Sequence, residues 1–176
     1  MNQNYENYAA NGLTNNNMTK ILFICHGNIC RSPMAEFIMK QLVAQAGQAD
    51  EFEIASAAVS TEEIGNDIYP PAKRMLASKG VPFEHRAARK MTIPDYAYYD
   101  HIVCMDQSNL RWLRYIIPSD PDHKVSLMMA WAITNVQSPI SNIGNVPDVS
   151  DPWYTGDFTK AYDDILEGCQ GMLKQI

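Results

Sequence analysis

Cysteine is scarce in this 176-residue chain. The four present, Cys25, Cys30, Cys104 and Cys169, have neither the density nor the spacing of a disulfide framework. A reducing, cytoplasmic setting with free thiols is expected. Long apolar runs are also missing: hydrophobic residues make up 46% and charged residues 19%, and no window suits an ~18-residue membrane span. The start lacks a basic segment followed by an apolar one, so it does not read as a secretory signal. Positive charge is in deficit, with Lys and Arg totalling 14 against 20 Asp and Glu. That balance argues against nucleic acid, whose binders need a basic face. Any anion site in such a chain has to be built locally, against the net field. Internal repeats are absent as well.

What remains fits one domain. Residues 1–17, rich in Asn, Tyr and Ala, carry almost no core-forming side chains and are expected to form a disordered tail. The domain then spans 18–176, with Met18 an alternative start. The run Ile21-Leu22-Phe23-Ile24-Cys25 predicts a strand buried on both faces of a parallel sheet. After Ser32-Pro33, the apolar residues Met34, Phe37, Ile38 and Leu42 recur at helical spacing and Gly47 can stop the helix. Strands are predicted over 52–57, 101–105 and 124–128, and helices over 71–79, closed by Gly80, and 108–117, ending before Pro118. A last helix carries Phe158, Tyr162, Ile165, Cys169 and Met172 on one face. The alternation predicts an α/β fold, a three-layer sandwich with a central, mostly parallel four-stranded sheet flanked by helices. The stretch 129–149 has no clear assignment.

Chemistry concentrates in Cys25-His26-Gly27-Asn28-Ile29-Cys30-Arg31-Ser32. A thiol ends a strand, an arginine follows six residues later, and a helix begins at once. In such a loop, backbone N–H groups point inward, the helix N-terminus adds its dipole, and a guanidinium grips two phosphate oxygens. Donors that hold phosphate also hold a thiolate, so Cys25 is the expected nucleophile. Phosphoryl transfer to sulfur needs a positioned acid for the leaving oxygen. Asp151-Pro152-Trp153-Tyr154 offers one, with Trp153 and Tyr154 able to wall a cleft deep enough for a phenyl phosphate. A C-x5-R pattern alone occurs by chance, and Asp-Pro-Trp-Tyr alone is commonly a surface turn. Their conjunction with the strand, the Gly-Asn pair and the Ser-Pro helix start is what makes the pattern specific.

These residues resemble the low-molecular-weight protein tyrosine phosphatase family from about Lys20 to Cys169. The loop C-x-G-N-x-C-R-S-P is complete at 25–33, Asp151-Pro152-Trp153 matches the acid loop, and Gly80, His85, Arg86, Asp100, Met105, Asp106 and Asn109 resemble the middle of the family. The resemblance implies Cys25 as nucleophile, Arg31 as phosphate clamp, and Asp151 as general acid and then base, with no metal or cofactor. It implies that Asn28 and Ser32 hold the loop, with Ser32 hydrogen-bonding the thiolate and His85 supporting Asn28. Its implied partners are phosphotyrosine proteins, with phosphate or other oxyanions in the loop; the chain itself is expected to be a monomer or weak homo-oligomer. Cys30 matches a family cysteine that shields the nucleophile by forming a disulfide with it; the other reading is that it packs behind the loop.

Three departures stand out, one being that the 129–149 stretch is longer than the family minimum. His26 replaces a usual aliphatic residue or Thr, as either a substrate contact or an exposed side chain without a role, and Ser56-Ala57-Ala58-Val59 replaces a commoner Ser-Ala-Gly-Thr. Two other activities use the same loop. Arsenate reduction needs a closely spaced second cysteine pair, and Cys104 and Cys169 are far apart. Phosphoarginine hydrolysis goes with Thr before the second loop cysteine, where this chain has Ile29. The apolar Ile29 favours a phenyl ester.

Overall fold

The computed structural model of the chain describes residues 18–133 and 146–176. The predicted tail and the middle of the 129–149 stretch lie outside the described residues. Strand β1 (Thr19–Cys25) has five consecutive buried residues, Ile21 to Cys25, because both of its faces are covered. It pairs in parallel with β2 (Phe52–Ala58) on one side and β3 (His101–Cys104) on the other. Beyond β3 lies β4 (Val125–Leu127), also parallel. The order β2-β1-β3-β4 makes β1 the point where successive crossovers diverge. In open parallel sheets, that point opens a crevice at the carboxyl ends of the strands. Cys25 stands there, opposite Ala58 of β2.

Helices α1 (Arg31–Gln45), α2 (Pro70–Ser78), α3 (Ile93–Tyr98), α4 (Gln107–Leu113), α5 (Met128–Ala132), α6 (Pro152–Thr155) and α7 (Phe158–Leu173) flank the sheet. Helix α1 is buried through its first nine residues because it packs on β1 and β2 with α7 on its other side. Gly47, at φ +73°, ends the helix region as predicted. Helix α7 approaches α5 so closely that a Cβ on Gly171 would lie 1.9 Å from the Trp131 carbonyl oxygen.

The predicted strands and long helices are present with shifted ends. The helix expected over 108–117 runs only to Leu113, and turns carry the chain on to Ile117. The strand expected over 124–128 ends at Leu127, and α5 begins at Met128 and runs into the unassigned stretch. Helix α3 was not predicted, although Thr92 and Asp95 form a capping box ahead of it, a readable start signal.

Candidate active site

The loop between β1 and α1 is shaped from outside by bonds to its carbonyl groups. The carbonyl of Cys25 accepts from Val59 N (3.1 Å), that of His26 from Ser60 N (3.1 Å), and that of Ile29 from Tyr69 N (2.8 Å). Arg86 Nη1 donates to the carbonyl of Asn28 at 2.9 Å. Because a trans peptide points its C=O and N–H in opposite directions, carbonyls held outward turn the following N–H groups inward. Gly27 allows the 61–65 loop to close over this turn: a Cβ there would meet Glu63 Cγ at 3.0 Å.

Asn28 anchors the loop. Its backbone lies at φ +59°, a left-handed conformation that Asn tolerates better than most residues, and it is completely buried. Its Oδ1 accepts from Arg86 Nη2 (2.6 Å) and Arg89 N (3.2 Å). Its Nδ2 donates to Ser32 Oγ and Ser56 Oγ, each at 2.9 Å. Ser56 in turn donates to the buried Glu36 at 2.6 Å. Ser32 Oγ, already accepting from Asn28, can turn its own hydrogen toward Cys25 Sγ at 3.0 Å. Asn28 N donates to the same sulfur at 3.3 Å.

This arrangement corrects one expectation. His85 does not reach Asn28; its side chain is 84% exposed and its Nδ1 lies 2.8 Å from Asp67 Oδ2. The neighbouring Arg86, whose side chain points inward, supports Asn28 instead. A guanidinium can serve the carbonyl and Oδ1 of Asn28 together, which one imidazole nitrogen cannot.

Arg31, at the first position of α1, is 3% exposed. Its Nη1 donates to Asp106 Oδ2 (2.6 Å) and its Nη2 to Asp151 Oδ2 (2.7 Å). Each aspartate uses its other oxygen to cap a helix: Asp106 accepts from Asn109 N at 2.6 Å and Asp151 from Trp153 N at 3.0 Å. Burial works against the Arg31 charge, but Cys25, Asp106 and Asp151 together outweigh it and raise its pKa. Arg31 therefore stays a cation with its fork aimed across the cleft.

A cavity of about 260 Å3 opens over the loop, bounded by Cys25, Ile29, Arg31, Asp151, Trp153 and Tyr154. His26, Gly27 and Cys30 also reach it, as do Glu62 and Glu63 from the loop opposite. Trp153 and Tyr154 are 56% and 85% exposed and stand at the mouth. His26 sits at the rim, with Nε2 3.1 Å from Glu62 Oε2 and its ring edge-on to Trp112 at 5.5 Å. Cys30 packs with Ile29 and Ala88 against Tyr69 and Phe158. Burial, then the charges of Cys25 and Asp151, push its thiol up to about 12. All four cysteines are free. Among the described residues, no three His, Cys, Asp or Glu side chains gather in a way that could hold a metal ion.

The structure thus brings Cys25, Arg31, Asp151, Asn28, Ser32, Ile29 and the two aromatics to one crevice and leaves His85 outside it. Sequence reasoning assigned no role to Glu36, Ser56, Arg86 or Asp106. Ser56 and Asp106 carried a usable signal, since Ser56 lies near the carboxyl end of one predicted strand and Asp106 directly follows another, on the crevice side of the sheet.

Residues 20–176 match the family model described as low molecular weight phosphotyrosine protein phosphatase. The fission yeast (Schizosaccharomyces pombe) phosphatase of that name is 36% identical over 165 residues, covering 90% of this chain and 99% of its own. The rat (Rattus norvegicus) protein of that name is 33% identical over 162 residues, covering 88% and 94%. The crystal structure of YfkJ from Bacillus subtilis superposes with a TM-score of 0.79 at 31% identity, covering 90% of this chain and 94% of that one.

Proposed function

The chain belongs to the low molecular weight phosphotyrosine protein phosphatase family, and from that premise we propose that it hydrolyses phosphotyrosine in proteins through a phosphocysteine on Cys25. The observation that carries this reading is a thiol at the base of an inward-facing amide loop, with Ser32 Oγ at 3.0 Å and Asn28 N at 3.3 Å. Both groups can donate to a thiolate, and the α1 N-terminus adds a favourable potential.

A phosphate dianion entering the loop takes up the inward N–H groups and the Arg31 fork, freeing Asp151 Oδ2 from its ion pair. Cys25 attacks phosphorus as the thiolate, its proton having passed to the freed Asp151 carboxylate; the bond to the tyrosine oxygen breaks, and Asp151 gives that proton to the oxygen. Water then attacks the phosphocysteine, Asp151 takes a proton from it, and inorganic phosphate leaves with the thiolate restored. Asp106 keeps Arg31 in place while Asp151 is engaged elsewhere.

Depth supports a phenyl ester over a shorter alcohol, since Ile29, Trp153 and Tyr154 flank the approach to Cys25. Burial of Cys104 and Cys169, both 0% exposed with thiols pushed up, speaks against the thiol relay that arsenate reduction needs. The test is hydrolysis of matched phosphotyrosine, phosphoserine and phosphoarginine peptides with EDTA present. Wild type should act on phosphotyrosine, and Cys25→Ser should act on none. Preference for phosphoarginine, or activity surviving in Cys25→Ser, would refute the assignment.

A further inference from the structure

On the far side of Trp153 from the phosphate loop lies a second, larger cavity, about 700 Å3, open to solvent. Tyr69, Trp153 and Phe158 line it, with Pro71, Met75 and Arg74 on the α2 side. The Tyr69 ring lies 5.4 Å from that of Trp153 and 6.2 Å from that of Phe158, so the three form a continuous aromatic wall. Tyr69 and Phe158 also pack on Ile29 and Cys30, which makes the wall an extension of the catalytic loop. Trp153 borders both cavities.

A positive charge stands at its edge. In a chain of net charge −6, Lys73 is tied to Asp67, whereas Arg74 is exposed and enters no ion pair among the described residues. A protein chain whose phosphotyrosine occupies the Cys25 cavity has its neighbouring residues at the mouth beside Trp153. An extended chain advances about 3.3 Å per residue, so a residue a few positions away can pass the indole and enter the aromatic groove.

We propose that this groove is a subsite for the substrate segment beside the phosphotyrosine, taking an apolar side chain against Tyr69, Met75 and Phe158 and an acidic side chain at Arg74. The inference rests on the phosphotyrosine reading above and adds a sequence preference to it. Apolar burial in such a pocket is worth about tenfold or more in discrimination, and an exposed ion pair a few-fold at most.

Three phosphotyrosine peptides differing only in two neighbouring positions test this: Leu-Glu, Leu-Lys and Ala-Ala. Wild type should show the highest kcat/KM on Leu-Glu, about tenfold above Ala-Ala, with the difference mainly in KM. Arg74→Glu should reverse the order of Leu-Glu and Leu-Lys. Ser78→Trp, which fills the groove from an exposed position, should erase the advantage of Leu over Ala. Both variants should hydrolyse p-nitrophenyl phosphate at the wild-type rate. Equal turnover of the three peptides by wild type, or parallel losses on peptides and p-nitrophenyl phosphate in the variants, would overturn the subsite. Failure of wild type on every phosphotyrosine peptide would instead overturn the tyrosine reading, and the subsite with it.

Discussion

At Asn28, one side chain divides its amide between two tasks. The oxygen accepts from Arg86 and Arg89 while the nitrogen donates to Ser32 and Ser56, so backbone shape and thiol environment share one support. Truncating Arg86 leaves a buried carbonyl and Oδ1 short of donors. Arg86→Ala should lower kcat on p-nitrophenyl phosphate by about 10²-fold, the scale of an ångström-level misplacement. Arg86→Lys should recover part of this by serving one acceptor, whereas His85→Ala should leave kcat near wild type. A larger loss in His85→Ala than in Arg86→Ala would contradict this account. At Asp151, replacement by Asn should cut kcat by about 10²–10⁴-fold, most for phenols that are poor leaving groups. Equal losses across a leaving-group series would remove Asp151 as the acid. Cys30, pushed up to about 12, stays protonated at neutral pH. Iodoacetamide at pH 7, read by peptide mass spectrometry, should therefore modify Cys25 and spare Cys30, and prompt alkylation of Cys30 would contradict that. Cys25, Arg31 and Ser32 were legible because their spacing is local to one strand-loop-helix turn. Arg86 was not, because choosing it over His85 depends on which of two adjacent side chains faces inward, and a loop has no periodicity to decide that.

Among the elements, the short ones are held by contacts that sequence patterns do not record. Helix α6 exists through its Asp151 cap and through Gly156, whose φ of +73° ends it. Helix α5 follows β4 without a break and is fixed by its packing against α7, so no start or stop signal marked it. Long elements with sustained apolar patterns, such as β1 and α7, were read correctly. At Gly171, a Cβ would press into the Trp131 carbonyl oxygen at 1.9 Å. Gly171→Ala should cost about 1–3 kcal/mol in urea unfolding, the scale of overpacking, and an unchanged midpoint would show that the helices separate freely. Asp67 joins α2 to the Arg86 segment, accepting from Lys73, His85 and the backbone N–H groups of Arg86 and Ile68. Partial burial opposes its charge, but these hydrogen bonds prevail and hold its carboxyl below the usual range. A carboxyl with a depressed folded-state pKa stabilises fully above its unfolded value, about 3.9, and loses that contribution as pH falls through the folded value. Asp67→Asn should thus be less stable than wild type at neutral pH, with the gap closing below about pH 4. A gap that stays constant or widens in acid would contradict the linkage.

Across the whole molecule, the sheet order sets the chemistry. Because β1 is where the crossovers diverge, the ends of β1 and β3 place Cys25 and Asp106 on one crevice. The chain after 146 returns there through Val149, whose N–H donates to the Met105 carbonyl at 2.9 Å, and so delivers Asp151. The alternation of strands and helices made this class of fold readable from sequence. The return path was not readable, since the residues before Val149 show neither a period of two nor one of 3.6. No helix among the described residues is long and apolar enough to cross a membrane. The net negative charge leaves anion binding to the local set of loop amides, helix N-terminus and Arg31. The most direct test of the account is to quench the enzyme in alkali during turnover of a 32P-labelled phosphotyrosine peptide with EDTA present, then locate the label by digestion. Label on Cys25, absent in Cys25→Ser, is the predicted result; continuing turnover with no label on Cys25, or with label on another residue, would contradict it.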